Sequence, residues 1–153
     1  MRVLAAALLA ASMAGSVVAQ ESKAGDLSIR GAVMRAVPPG VPNSAGYMVI
    51  ANTGTKEDRL MSATCACARA VEIHVSHVMN GTAMMMPASA LPIPAGGQIA
   101  FGPGGYHLMI LGLKAPLQAG AVQSLTLKFQ HAGAVVAPFQ VKARIPLQPA
   151  KAQ

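Results

Sequence analysis

The sequence predicts an all-β sandwich, and three observations support this fold class. Short apolar or alternating runs recur between residues 27 and 144, as expected of strands with one buried face. Clusters of Gly, Pro and Asn separate the runs, for example Pro38-Pro39-Gly40 and Asn52-Thr53-Gly54. No segment has the periodicity of a long amphipathic helix. A chain of 153 residues is long enough for one such domain around a single core.

The runs and their breakers predict nine strands in chain order. Asn80-Gly81 favours a two-residue type I′ turn, because both residues tolerate positive φ, and this turn folds the segment 83–86 back toward His74. Pro138 predicts an edge position or a bulge in the last strand. Residues 21–25 and 146–153 are expected to be irregular. The expected strands are 27–35, 45–51, 59–64, 70–75, 83–86, 98–101, 106–111, 122–130 and 134–144.

The first 19 residues have the pattern of a secretory signal peptide. A short basic start with Arg2 is followed by an apolar run, and Val17-Val18-Ala19 offers small residues for cleavage. The run is short for a membrane span and no stop-transfer pattern follows it. We therefore expect a periplasmic protein without stable membrane insertion. It would consist of residues 1–19 as signal peptide, 20–145 as a metal-binding β-sandwich domain and 146–153 as a short irregular tail.

Charge and motif content exclude several function classes. The formal net charge is +7, and loss of Arg2 with the signal peptide leaves +6. The basic residues are spread singly, without aromatic interleaving, so a nucleic-acid stripe is not expected. Only five acidic residues are present, with no Gly-x-Ser-x-Gly elbow and no paired-carboxylate pattern. We therefore expect a protein that is not an enzyme.

Two histidines and two methionines form the candidate metal site: His74, Met85, His107 and Met109. In a strand, residues two apart share a face, so His107 and Met109 can point at one ion. Thioethers are soft, uncharged ligands that hold Cu(I) well and Zn(II), Mg(II) or Ca(II) poorly. The mixture of imidazole and thioether therefore points to Cu(I). Because imidazole binds metal only when unprotonated, we expect copper affinity to fall at acidic pH.

The other histidines and methionines have ordinary explanations. A single methionine in a strand is usually core filler, which we expect of Met34, Met48 and Met61. His77 and His131 lack a methionine partner in a shared chelating geometry and are expected at the surface. Met84 and Met86 flank Met85. Strand alternation keeps the three from filling one face, so which of these thioethers binds stays open.

The spacing of the four candidate ligands resembles the signature of a known family. Ten residues separate His74 from Met85, twenty-one separate Met85 from His107, and one separates His107 from Met109. This pattern is similar to that of the periplasmic copper chaperones called PCuAC, the DUF461-like proteins. Three surrounding segments resemble the family as well: Glu72-Ile73-His74, Leu91-Pro92-Ile93-Pro94-Ala95-Gly96-Gly97 and Pro103-Gly104-Gly105-Tyr106-His107-Leu108-Met109.

The resemblance covers about residues 27–141 and implies both a fold and a function. The implied fold is a cupredoxin-like Greek-key β-sandwich or barrel that binds Cu(I) near one end. The implied function is delivery of copper toward cytochrome oxidase assembly, at the CuA site or through an assembly factor. The partner would then be a copper-accepting protein, either the oxidase subunit or a thioredoxin-like assembly factor. We expect the chain to be a monomer.

The sequence leaves the role of two cysteines open and offers two alternative functions. Cys65 and Cys67 could be a reactive or disulfide-linked pair, an accessory copper clip, or small buried residues, and a disulfide would close a very small ring. An electron-transfer cupredoxin needs one Cys and two His, one of which precedes the Cys. Here the first histidine, His74, follows both cysteines. A copper storage or tolerance protein is the remaining alternative.

Overall fold

The computed structural model describes residues 21–145, and within this range the chain forms eleven β-strands and no helix. The predicted signal peptide and the 146–153 tail lie outside the described residues. No helix in the described part of the chain is long and apolar enough to cross a membrane. The strands are β1 (Ser22–Ala24), β2 (Leu27–Arg35), β3 (Asn43–Asn52), β4 (Asp58–Cys65), β5 (Ala68–Met79), β6 (Thr82–Pro87), β7 (Leu91–Ile93), β8 (Gln98–Ala100), β9 (Tyr106–Leu113), β10 (Val122–Phe129) and β11 (Ala134–Lys142).

Seven of the strands close into a barrel in the order β2-β11-β10-β4-β5-β9-β3, with β3 pairing back onto β2. All neighbours in this ring are antiparallel except β11 and β2, which are parallel. Strands β1, β6, β7 and β8 add to β2, β5, β4 and β3 respectively. The all-β prediction is therefore confirmed, and closure leaves the ring itself without an unpaired edge.

The core fills this barrel from the alternate positions of its strands. On β9, Leu108 and Ile110 are fully buried, and β10 and β11 contribute Phe129 and Phe139. Met34 and Met48 lie in the core as predicted. The same prediction for Met61 is wrong, because Leu60 takes the inward position on β4 and leaves the next side chain 42% exposed.

Two short strands were absent from the sequence prediction. Ser22–Ala24 pairs with the start of β2 across a turn in which Gly25 has a φ of 56°. Leu91–Ile93 pairs with β4 and buries its first and last side chains. Three residues are too few to show alternation, so the segment 21–25, expected to be irregular, forms a strand that only its partner reveals.

The β5–β6 hairpin is the element that the turn chemistry predicted best. Asn80 and Gly81 have φ values of 51° and 78°, as a type I′ turn requires. Met79 then pairs with Thr82, and the ladder continues to His74 and Pro87. Strand β5 is longer than the predicted 70–75, because its last residues pair with β6.

Pro138 occupies an edge-like position, as its missing N–H predicts. It lies opposite Ser124 of β10. On its other side, β11 pairs with β2 only from Gln140 to Lys142.

Candidate metal centre

His74 and His107 are direct cross-strand neighbours in the barrel. Strands β5 and β9 are antiparallel, and the register places the two histidines opposite each other. Opposite residues of an antiparallel pair point to the same side of the sheet. Their ring centroids are 5.8 Å apart, with the planes at 62°. Long-range strand pairing thus brings together two histidines that are 33 positions apart in the chain.

The hydrogen bond of His107 determines which of its nitrogens is free. Its Nδ1 lies 3.1 Å from the carbonyl oxygen of Gly105. A carbonyl can only accept, so Nδ1 carries the proton and Nε2 keeps the lone pair in the neutral ring. His107 is only 5% exposed. The ring is therefore held in one orientation with Nε2 available to a ligand.

His74 has the opposite arrangement. Its Nε2 lies 2.8 Å from Oε2 of Glu72, two residues earlier on the same face of β5. A carboxylate accepts, so neutral His74 donates its Nε2–H and carries the lone pair on Nδ1. That Nδ1 is the one buried side-chain N or O atom in residues 21–145 without a hydrogen-bond partner. A buried polar atom without a partner needs an explanation, and a bound metal ion would supply one.

Met109 lies on the same face as the two histidines. It pairs with Glu72 on β5, two residues from His107, and is partly buried. Its neighbours Leu108 and Ile110 point into the core. The expected alternation of β9 is thus what the structure shows.

The register assigns the three consecutive methionines to different faces. Met85 pairs with Ser76 and therefore lies on the His74 face, whereas Met84 pairs with His77 and Met86 with Val75 on the other face. Of the three, only Met85 shares a face with the histidines. Its side chain is 62% exposed.

Met85 and Met109 lie at opposite ends of this group. On a flat sheet, four residues along the strands and two strand spacings would separate their Cα atoms by about 17 Å. The twist of the β5–β6 hairpin therefore decides whether Met85 reaches an ion held by His74, His107 and Met109.

The donor set on this face is soft and almost free of charge. Within residues 21–145, no three His, Cys, Asp or Glu side chains cluster as a metal site. The carboxylate near the histidines belongs to Glu72, which is hydrogen-bonded to His74. A metal ion here would depend on thioethers to complete its coordination, and Cu(I) tolerates such ligands best.

Cys65 and Cys67 lie outside this centre. They are joined by a disulfide, with Cα atoms 5.1 Å apart, in the turn between β4 and β5. Of the alternatives left open by the sequence, the structure contains the disulfide-linked pair. His74 lies seven residues beyond Cys67, which along a strand is about 20 Å or more. A cysteine ligand beside the histidines, which an electron-transfer cupredoxin requires, is thus not supplied by either residue.

The remaining histidines differ from each other. His131 is exposed in the turn between β10 and β11, where its backbone N–H donates to Asp58. His77 is exposed, as expected, and Met84 lies directly opposite it on β6.

The face of β5 and β9 that carries His74, His107 and Met109 is called the metal face. The hydrogen bond of Glu72 to His74 on this face was not predicted from the sequence. The position of Glu72 two residues before His74 was the available signal.

Comparison with known proteins gives a family. The profile of the LpqE-like family, described as "Putative lipoprotein LpqE-like", matches residues 27–141. A protein of Leifsonia xyli subsp. xyli named "Putative lipoprotein Lxx21020" is 39% identical over 87 residues, which are 56% of this chain and 52% of that protein. The chain thus spans about half the length of this curated relative.

Solved structures give the same architecture. The copper-bound PCuAC domain from PmoF2 is 25% identical with a TM-score of 0.71, over 82% of this chain and 99% of that one. The apo PCuAC domain from PmoF1 is 26% identical with a TM-score of 0.70, over 82% and 100%. Cu(I)-bound DR1885 from Deinococcus radiodurans is 31% identical with a TM-score of 0.62, over 75% and 77%. The chain therefore belongs to the LpqE-like family and has the cupredoxin-like fold of the PCuAC domains.

Proposed function

We propose that this protein is an exported Cu(I) chaperone, with His74, Met85, His107 and Met109 as the copper ligands. One observation carries the proposal: two facing histidines each present a free ring nitrogen on the sheet face that also bears both methionines. Copper is bound in two of the similar structures, the PCuAC domain from PmoF2 and DR1885, which supports the proposal.

The ligand chemistry suits a carrier that must release its cargo. Two imidazoles and two thioethers add no formal charge to the site, so they hold Cu(I) less tightly than thiolates do. Thioethers also survive in an oxidising compartment, where thiols are readily lost to disulfides. Ligand exchange onto a thiolate-bearing acceptor is then favourable. We propose a copper acceptor in cytochrome oxidase assembly, either the CuA-bearing subunit or a thioredoxin-like assembly factor.

Export to the periplasm is part of the same proposal. Residues 1–19 have the composition of a signal peptide, and the similar Leifsonia protein is named as a lipoprotein. Fractionation of cells that produce the full chain tests this placement. Recovery in the cytoplasm with an intact N-terminus would contradict it.

Competition for Cu(I) against a chelator such as bicinchoninate tests the ligand set. We expect His74→Ala and His107→Ala each to weaken binding by about a hundredfold, since each removes a ligand from a preorganised face. Met109→Leu and Met85→Leu should weaken it by about tenfold, because a flexible thioether contributes less than an imidazole held in one orientation.

Matched controls are available for both residue types. His131→Ala and Met61→Leu replace exposed side chains outside the metal face, so both should leave the affinity unchanged. If His74→Ala and His107→Ala bind Cu(I) as the wild type does, the proposed site is wrong.

Transfer is tested separately by mixing the Cu(I)-loaded protein with a reduced CuA domain and following copper in both after separation. The proposal expects copper to move to the dithiol. Retention of all copper by the loaded protein, at an excess of acceptor, would contradict direct delivery to the CuA site while leaving the binding site intact.

A further inference from the structure

The reverse face of the β5–β6 hairpin carries a second set of soft donors. His77 and Met84 are direct cross-strand partners, and Met86 lies two residues from Met84 on the same face. In an antiparallel pair, opposite Cβ atoms lie about 4.5–5.5 Å apart and diagonal neighbours about 7–8 Å, which long side chains can span. One imidazole and two thioethers therefore lie on one side of the hairpin, at spacings that their side chains can bridge.

These three side chains are open to solvent. Met84 and Met86 are 46% and 49% exposed, and His77 is exposed as well. Five of the nine large hydrophobic side chains exposed within residues 21–145 belong to this hairpin: Val78, Met79, Met84, Met85 and Met86. Methionine as core filler is normally buried, so packing does not account for this concentration.

The chemistry around the set selects a soft ion. From Val75 to Pro87 the chain contains no Asp, Glu, Lys or Arg. Hard cations prefer oxygen ligands, in particular carboxylates, and this stretch offers no carboxylate. A neutral imidazole with two thioethers matches the preference of Cu(I) for soft ligands.

Met86 fits this set better than Met79 does. Met79 shares the face but precedes the Asn80-Gly81 turn, at the free end of the hairpin. Met86 lies opposite Val75, which pairs with Tyr106 of β9 on its other side. The end of the hairpin that carries Met86 is therefore anchored to the barrel.

We propose that His77, Met84 and Met86 form a second, weaker Cu(I) site on the reverse face of the hairpin. It shares no ligand with the site of His74, His107 and Met109, because strand alternation places Met85 on one face and its two neighbours on the other. An ion at this site would be coordinated by three neutral ligands and open to solvent. It would therefore exchange faster than an ion bound beside the buried His107.

Anaerobic titration of the full-length exported protein with Cu(I), in the presence of ascorbate and bicinchoninate, tests the proposal. We expect two equivalents in the wild type, the second bound about tenfold or more weakly than the first because one imidazole is missing. The triple variant His77→Ala, Met84→Leu, Met86→Leu should bind a single equivalent with the affinity of the first unchanged. Ag(I) can replace Cu(I) in NMR spectra of the methionine methyl groups. The resonances of Met84 and Met86 should shift when the second equivalent of Ag(I) is added.

Three controls separate this site from other sources of a second equivalent. Met61→Leu, which replaces an exposed methionine outside the hairpin, should still bind two equivalents of Cu(I). The double variant Cys65→Ser, Cys67→Ser should also bind two equivalents, which excludes thiols as ligands of the second ion. The double variant His74→Ala, His107→Ala should lose the tightly bound equivalent and keep the weakly bound one. This result would show that each site binds Cu(I) without the other. A wild type that binds one equivalent, or a triple variant that still binds two, overturns the proposal.

Discussion

At the scale of single residues, the ability of His74 and His107 to bind a metal depends on which ring nitrogen carries the proton. Gly105 and Glu72 each accept from one histidine, and between them they leave Nε2 of His107 and Nδ1 of His74 free. Such partners orient a ligating ring and fix its tautomer. With the proposed ligand set, Glu72 would therefore act on copper through His74 without being a ligand.

Glu72→Ala should weaken Cu(I) binding by about tenfold. This is the lower end of the effect of removing a hydrogen-bond partner from a ligating histidine, because Glu72 is partly open to water. Glu72→Gln should lose less, since its amide oxygen still accepts from the His74 N–H. The measurement is chelator competition at neutral pH. Glu57→Ala is the control, because Glu57 pairs with Arg59 rather than with a histidine. Equal affinity in Glu72→Ala and wild type would show that the contact does not hold the ring.

A second residue, Asp58, ties β4 to the turn between β10 and β11. Its Oδ1 accepts from the backbone N–H groups of Arg59 and His131, and its Oδ2 accepts from that of Ala132. Burial alone raises the pKa of Asp58, but these three donors outweigh it and hold the pKa below the ordinary value of 3.8. The folded state therefore favours the ionised carboxylate.

Asp58→Asn should lower the free energy of unfolding at neutral pH by about 2 kcal/mol, because it weakens charge-assisted hydrogen bonds. A lowered pKa in the folded state means that the unfolded chain binds the proton first. The contribution of Asp58 is thus complete above its ordinary pKa of 3.8 and is lost as the pH falls through the folded value. Urea unfolding at neutral pH and near pH 3 should show the difference between wild type and variant shrinking in acid. Asp26→Asn, at an exposed position, is the control, and a difference that stays constant with pH would contradict the assignment.

At the scale of elements, the β5–β6 hairpin connects the barrel to both sets of donors. One end of β5 lies between β4 and β9, and the other extends to Met79 with β6 as its partner. His74 pairs with β9 and with β6 at once, whereas Met85 lies beyond the β9 pairing. The histidines are therefore fixed by the barrel, and the position of Met85 is fixed only by the hairpin.

Gly81→Val should disturb the hairpin and leave the barrel folded. Gly81 has a φ of 78°, and a β-branched residue there costs about 1–2 kcal/mol. We expect faster hydrogen exchange from 79 to 86, little change in the unfolding of the barrel, and a several-fold loss of Cu(I) affinity. Gly120→Val is a matched control, since Gly120 also has positive φ and open space around it but lies in another turn. Equal copper affinity in both variants would remove Met85 from the ligand set.

At the scale of the whole molecule, the core of the closed barrel packs against the strands that carry the metal face. Phe139 is fully buried on β11 and lies against Gly46 of β3. Gly46 in turn pairs with Leu108 of β9. The core thus supports β9, the strand that carries His107 and Met109, from its inner side.

Phe139→Ala should lower the free energy of unfolding by about 3–5 kcal/mol, the usual cost of removing a buried ring. Val136→Ala, at a position 62% exposed on the same strand, should change it by less than about 0.5 kcal/mol.

Copper at a hundred times its dissociation constant should raise the free energy of unfolding of both variants by about 2.7 kcal/mol, provided the unfolded chain does not bind it. Urea titrations with and without Cu(I) measure this. No stabilisation by Cu(I) in either variant would contradict binding to the folded state.

Local rules predicted much of this molecule. Alternation placed His107 and Met109 on one face of β9, and Asn80-Gly81 predicted the hairpin turn, because both features depend only on neighbours in the chain. The pairing of His74 with His107 depends on the register between distant strands, and spacing alone does not determine it. The same holds for the partnership of His77 with Met84, for the exposure of Met61 and for the strands of three residues.

The run from Met84 to Met86 also affects how the protein tolerates change in its length. Moving a strand by one position normally replaces every side chain on a face with one from the opposite face. Here a shift of β6 by one position in either direction still leaves a methionine opposite Ser76, because the flanking residues are identical. Insertion or deletion of one residue in the turn would thus preserve a thioether on the face that carries His74. With three adjacent methionines, a one-residue insertion or deletion still leaves a methionine opposite Ser76. A single methionine would be lost from this position.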